Sequence, residues 1–378
     1  IRDSVASRGR GDVYKRQLLM CTQDLIHSII QRIATGPELS RDIETGEAEA
    51  AMSAILGGEI DEVQSAIFLI ALRMKRETME ENIGILEALL KFTDCQEIDV
   101  ENLIDIGDPY SGYNRSIPIS AFLPPLLAEL DLPTLIHGLD SVSPKYGLTH
   151  RHINQSLGMN VDLSIDESKA RIEDSDIGWS YVDQSQYCKP LHDLVPLRNK
   201  VVKRTVLNTI ETLIGPLRGK KTHSILGYVH KPYPPIYAAL CEKVGFSSSL
   251  LIRGVEGGVV PSLRQKGLMI SYHRGVEKAQ VDIDPKLLGI NCELRAIAFP
   301  KEFENGIERD LLAEYAVNLG RSALSGESGM FYDGLVYSAS LILWHLKQSK
   351  TLPAAAERVR EVLNSGRALK RLVTKKNL

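Results

Sequence analysis

Several short stretches carry residue types suited to holding an anion. The run Gly107-Asp108-Pro109-Tyr110-Ser111-Gly112-Tyr113-Asn114-Arg115-Ser116 sets two glycines among hydroxyl, amide and guanidinium groups. Gly107 and Gly112 permit a tight turn before a helix expected near Ile119, while Ser111, Asn114, Arg115 and Ser116 are placed to contact an anion. Pro109 removes one backbone donor from the run. The same composition also describes an ordinary polar strand-to-helix loop, because helix starts attract such residues. Basic groups recur further on, as Arg198, Lys200, Lys203 and Arg204, then Arg218-Gly219-Lys220-Lys221, then His230-Lys231-Pro232-Tyr233, then Arg253, Arg264 and Lys266. Cations interleaved with tyrosine suit phosphate groups and, with Tyr113, Tyr146 and Tyr233, stacking on the bases of a single strand. A solvated surface is the bland reading of any one of them.

Elements must position these groups. From Leu25 onward the apolar spacing is helical: Leu25, Ile29, Ile30 and Ile33 share a face, Gly36-Pro37 ends that helix, and a second starts near Thr45. Further helices are expected at Glu62 to Met74 and Met79 to Phe92. Near Leu103 the pattern changes to short β-like runs alternating with helices. The strand candidates are Thr134–His137, Ile177–Asp183, Thr222–Tyr228, Ser249–Arg253, Gly267–Tyr272 and Gln280–Ile283. Helices are expected at Ile119–Leu130, Ile153–Leu157, Leu191–Val195, Lys203–Ile214, Ile236–Val244, Arg309–Ala323, Gly334–Gln348 and Thr351–Asn364. This alternation predicts an α/β fold, a small all-α N-terminal domain followed by a larger domain whose mainly parallel sheet is flanked by helices. The expected boundaries are a leader at 1–19, a helical domain at 20–100 with possible later helical contribution, and an α/β domain at 101–378. The leader has neither an apolar stretch nor a hydrophobic period and reads as foreign to the fold, with Met20 as the expected start.

The 378 residues, 43% hydrophobic and 25% charged, allow an ordinary globular core, and the net charge of −3 argues against a surface that coats nucleic acid throughout. The five cysteines are scattered without C-x-x-C spacing, which fits reduced cytoplasmic thiols better than a disulfide framework or a structural zinc. No apolar run is long enough for a membrane span.

Six strings, in order, resemble the anthranilate phosphoribosyltransferases of glycosyltransferase family 3. They are Gly57-Gly58-Glu59-Ile60 followed by Ala66 through Thr78; His137-Gly138 with Val142-Ser143-Pro144-Lys145-Tyr146-Gly147; Val195-Pro196-Leu197-Arg198; Gly215-Pro216-Leu217; Leu324-Ser325-Gly326; and Asn364 through Leu369. The resemblance implies a fold of the nucleoside phosphorylase and phosphoribosyltransferase type. It also implies transfer of a phosphoribosyl group from phosphoribosyl pyrophosphate, magnesium as cofactor, and a homodimer paired through the helical domain, to which Ile67, Phe68, Ile70 and Ala71 offer apolar surface. The candidate substrate- or anion-contacting positions are Gly107, Ser111, Asn114, Arg115, Ser116, His137, Gly138, Ser143, Lys145, Arg198, Arg253 and Glu256, of which Arg198 by the resemblance matches the arginine that meets the acceptor carboxylate.

The sequence departs from that pattern where the chemistry is densest. The family's G-T-G-G-D loop has lost its double glycine. Ile136, Leu139 and Asp140 replace lysine, asparagine and arginine around His137, and the aspartate reverses a charge beside a phosphate site. His137 reads as a structural histidine. Cys188 stands at a histidine position and Thr212 near an asparagine one. The magnesium carboxylates align with Val259 and Val260, which cannot bind a hard cation. Glu256 is three residues away and is expected either to substitute or to pair with Arg253 or Arg264. The expectation is therefore a family-level transferase with altered or lost activity and no metal. The alternative is a non-catalytic binder of a phosphorylated small molecule or single-stranded nucleic acid on the same scaffold.

Overall fold

The computed structural model describes residues 22–36, 38–301 and 309–372. The expected leader, Met20 and Cys21 lie outside the described residues. The described residues divide into two compact units, one made of those up to Thr93 with Cys188–Ile210, the other of Asp94–Tyr187 with those from Glu211 onward.

The first unit is helical. Helices at residues 22–33, Thr45–Leu56, Glu62–Lys75 and Met79–Lys91 bury Ile26, Ile29, Ile33, Met52, Phe68, Leu72 and Ile85. Local chemistry fixes their starts. The Asp61 carboxylate accepts from the N–H groups of Val63 and Gln64, and Thr78 forms a reciprocal capping box with Glu81. The helices Thr45–Leu56 and Met79–Lys91 approach backbone to backbone at Gly84, where a Cβ would stand 2.2 Å from the carbonyl oxygen of Thr45. Segment 188–210 adds Lys189–Asp193, Val195–Val201 and Leu207–Ile210. Two expectations change here. The helix expected over Leu191–Val195 is two short ones, because Pro196 is tolerated only in a first turn. The helix expected over Lys203–Ile214 is a single turn at Leu207–Ile210 followed by a 3-10 turn, after a break at Val202 with left-handed φ of 61°.

The second unit is an α/β layer structure. Its strands are β1 (Gln96–Glu97), β2 (Asn102–Gly107), β3 (Thr134–Gly138), β4 (Trp179–Asp183), β5 (Leu217–Arg218), β6 (Lys221–Tyr228), β7 (Ser248–Arg253), β8 (Gly267–His273) and β9 (Val276–Ile283). β1 and β5 pair on their own, and the other seven form one sheet in the order β4-β3-β2-β6-β7-β8-β9. The first five of these are parallel, and β8 and β9 run antiparallel. Arg274-Gly275, both at positive φ, make the two-residue turn of the β8–β9 hairpin. β2 fell at the expected change of pattern without being identified as a strand. The helix Ile165–Glu173 was also not anticipated, although its Ser164-x-x-Glu167 capping box is present in the sequence. Apolar strand residues and the helices at Leu123–Glu129, Arg309–Leu324, Met330–His345 and Leu352–Asn364 build the core.

Candidate active site

The chain turns one way from β2 to β3 and the other way from β6 to β7. The C-terminal ends of β2 and β6 therefore flank the switch point at which open α/β sheets usually hold ligands. Here that crevice is packed with protein. A Cβ on Gly227, at the end of β6, would stand 2.2 Å from the carbonyl oxygens of Gly257 and Gly258. A Cβ on Gly258 would collide with the hydroxyl of Tyr113.

Two carboxylates organise the packing. Asp108, buried directly after β2, accepts from the Tyr113 hydroxyl at 2.8 Å, from the Ser120 hydroxyl and from the backbone N–H of Val259 at 3.0 Å. His150 Nε2 lies 3.0 Å from the same carboxylate. Burial alone would raise its pKa, but the bonds from His150, Ser120 and Tyr113 outweigh burial and hold it below the usual range. Glu256 is the second. Its carboxylate accepts from the backbone N–H groups of Asn114 at 3.3 Å and Arg115 at 3.1 Å and from the Ser116 hydroxyl at 2.8 Å. Lys145 Nζ lies 3.4 Å away, with further bonds to the carbonyls of Gly112 and Glu256 at 3.1 Å. Burial again opposes ionisation, and the Lys145 charge with these donors overcomes it. Glu256 reaches this position from a left-handed backbone at φ 54°, rare for a residue with a Cβ.

Of the loop residues expected to contact an anion, Asn114, Arg115 and Ser116 meet the chain's own Glu256 carboxylate, and Ser111 does not. Glu256 pairs with Lys145, which corrects the expected pairing with Arg253 or Arg264. The sequence had separated these partners by 111 to 142 residues, so no local spacing could have revealed them. Asp108, Ser120 and His150 were likewise passed over. The only cue was an aspartate beside Pro109 in a glycine-poor loop.

The remaining site residues are more dispersed. Gly107 closes β2, and a Cβ there would come within 2.4 Å of Leu226 and of the carbonyl of Thr212. Ser111 is buried, and its carbonyl accepts from Gly147 N–H. Gly138 ends β3 in ordinary contact with Tyr181, and Ser143 is buried in the following loop. His137 is buried on β3, with Nε2 2.9 Å from Asp105 Oδ1 and Nδ1 bonded to the Tyr110 hydroxyl, which in turn meets Tyr187. Asp140 pairs with His152 at 3.2 Å. Arg198 belongs to the helical unit, where it is buried on the helix Val195–Val201. Arg253 ends β7 and is exposed, as are Asn114 and Arg115. Tyr113 is buried, which corrects its expected role as a stacking platform. Phe68 and Ala71 are also buried, so the exposed apolar stripe of the helix Glu62–Lys75 is Val63, Ile67 and Met74, with Ile70 half-buried between them.

Magnesium does not fit the residues at its expected place. Val259 and Val260 are buried apolar side chains, and the neighbouring carboxylates, Asp108 and Glu256, are already committed to internal donors.

An open sheet with its loops gathered at the parallel C-terminal ends and a separate helical unit define a two-unit transferase architecture. The glycosyl transferase family helical bundle domain matches residues 27–93, the family's a/b domain matches residues 111–369, and the chain belongs to this family. An uncharacterized protein of Aquifex aeolicus is 26% identical over 338 residues, 89% of this chain and 98% of its own length. The anthranilate phosphoribosyltransferase of Methanopyrus kandleri is 26% identical over 349 residues, 90% of this chain and 96% of that protein. Among solved structures, anthranilate phosphoribosyltransferase of Thermus thermophilus shares the fold with a TM-score of 0.70 at 20% identity, covering 92% of this chain and 97% of that one. The Saccharomyces cerevisiae protein in complex with phosphoribosyl pyrophosphate and magnesium gives 0.74 at 16% identity, covering 92% and 95%. Among the described residues no helix is long and apolar enough to cross a membrane.

Proposed function

We propose that this chain is a cytoplasmic member of the family that has lost magnesium-dependent phosphoribosyl transfer to anthranilate and works as a binder of a phosphorylated small molecule. One observation carries the reading: the four donors that present themselves to an anion at the β2 loop are occupied by the Glu256 carboxylate. A diphosphate entering there must displace a set of charge-assisted bonds, each worth up to roughly 1.5–3 kcal/mol. The loss of both metal carboxylates to Val259 and Val260 removes the cation that would favour such an exchange. Burial of Tyr113 favours a small ligand over a single-stranded nucleic acid. A homodimer through the stripe of Val63, Ile67, Ile70 and Met74 belongs to the same reading. The direct test is anthranilate fluorescence in the presence of phosphoribosyl pyrophosphate and magnesium. No loss of signal is expected, and turnover at ordinary enzyme rates that a chelator abolishes would refute the proposal.

A further inference from the structure

A cavity of about 240 Å³ opens on the far end of the same loop, lined by Arg253, Lys266 and Arg295 together with Val229, Ser262, Gln265 and the backbone of Gly254, Val255 and Gly267. Its frame is braced. Gly254 bridges Pro261, the Leu263 N–H donates to the Arg295 carbonyl at 3.0 Å, and the segment beyond Arg295 pairs with the β2 loop through Ile117 N–H to Ile297 O at 2.9 Å. Three cations thus face one small space from anchored backbone. Lys266 has a carboxylate, that of Asp284, only at 3.7 Å. Among the described residues neither the Arg253 nor the Arg295 guanidinium has an ion pair. The carboxylate adjacent in sequence to Arg253, Glu256, is turned into the β2 loop instead.

We infer that this cavity binds the phosphate group of a small phosphorylated ligand. Three like charges gathered around one space with a single carboxylate, Asp284, beside them repel one another, and a bound dianion relieves that repulsion. Guanidinium groups offer planar, two-pronged donation to phosphate oxygens, Ser262 and Gln265 add neutral donors, and Lys266 adds a point charge. The volume lies below the roughly 300–1,000 Å³ of pockets that enclose drug-sized ligands, which suits a compact phosphate and not a polymer. The assignment deepens the phosphorylated-ligand reading by naming its site, and it is independent of whether transfer activity survives.

The test is isothermal titration of the full chain with inorganic diphosphate at low salt. It compares the parent protein, an Arg253→Gln/Arg295→Gln double variant and a Lys145→Met variant, each checked for folding by circular dichroism. Binding is expected in the parent, weakened at least tenfold in the double variant and weakened by salt, since exposed charges are screened. The Lys145→Met variant, altered in the filled loop, is expected to lose less affinity than the double variant does. Loss confined to Lys145→Met places the anion in the β2 loop and overturns the site while leaving a phosphate binder. Absence of binding in the parent overturns both the site and the phosphorylated-ligand reading. Affinity that climbs with oligothymidylate length beyond the mononucleotide overturns the small-ligand assignment.

Discussion

The β2 loop and the Arg253 cavity lie on either side of one glycine-rich turn, yet their charges are arranged in opposite ways. At the loop a carboxylate meets two backbone N–H groups, a hydroxyl and an ammonium group, and its own side chain and that of Lys145 are largely covered. At the cavity three cations share a solvent-open space with one carboxylate, Asp284, 3.7 Å from Lys266. The first arrangement stabilises the fold and leaves little for a ligand. The second contributes little to the fold and keeps its donors available. The same residue decides both, because Glu256 cannot neutralise Arg253 while it fills the loop.

Glu256→Ala breaks the comparison most directly. It leaves a part-buried ammonium group, a hydroxyl and two backbone donors without their anion, and a loss of about 1–3 kcal/mol is expected in denaturant unfolding. Added inorganic phosphate should restore part of that loss. A cost below about 1 kcal/mol would mean that the donors are not organised around this carboxylate.

Acid sharpens the comparison by testing a different end of the sheet. Burial, with the nearby His273 charge, pushes His223 down to about 4 and His345 down to about 3. The two share Ser248, with Oγ at 2.7 Å from His223 Nδ1 and 2.8 Å from His345 Nε2. Both folded values lie below the unfolded value near 6.5, so the unfolded chain binds more protons as pH falls. Stability is therefore full above about pH 6.5 and declines from there toward pH 4 and below, by up to about 1.4 kcal/mol per pH unit for each histidine. Asp108 and Glu256, held below the normal carboxylate range, keep their bonds over the upper part of that window. Unfolding midpoints at pH 7.5, 6.5 and 5.5 check this. His345→Gln should flatten the dependence.

The helical unit repeats the contrast between satisfied and unsatisfied groups. Glu81 is buried, with Lys75 at 2.8 Å and the Ile43 N–H at 3.0 Å, whereas Val63, Ile67 and Met74 are exposed on the neighbouring helix. Ile67→Glu should convert a dimer to a monomer in light scattering with a change in fold stability of under about 1 kcal/mol. A monomeric parent at micromolar concentration would end the dimer reading. The smallest effect belongs to the cavity: Arg253→Gln/Arg295→Gln should shift unfolding by no more than about 0.5 kcal/mol. Charge reversal of Arg371 is a poor control for either region, because that side chain ties Glu129 and the carbonyl of Ser175.

Sequence alone determined the two-unit α/β architecture, since apolar period and turn residues act over a few residues at a time. The resemblance set Val259 and Val260 against the family's metal carboxylates, and that a valine cannot hold a hard cation follows from its type and not from its surroundings. The sequence marked Asn114, Arg115, Ser116 and Lys145 as anion-facing for the same reason. What those donors hold was decided only by the fold. Hydrogen bonds act within about 3 Å, and Glu256 is brought to Asn114 across 142 residues of chain by the parallel pairing of β2, β6 and β7. The same pairing buries Tyr113 against Gly258 and gathers Arg253, Lys266 and Arg295 around one cavity.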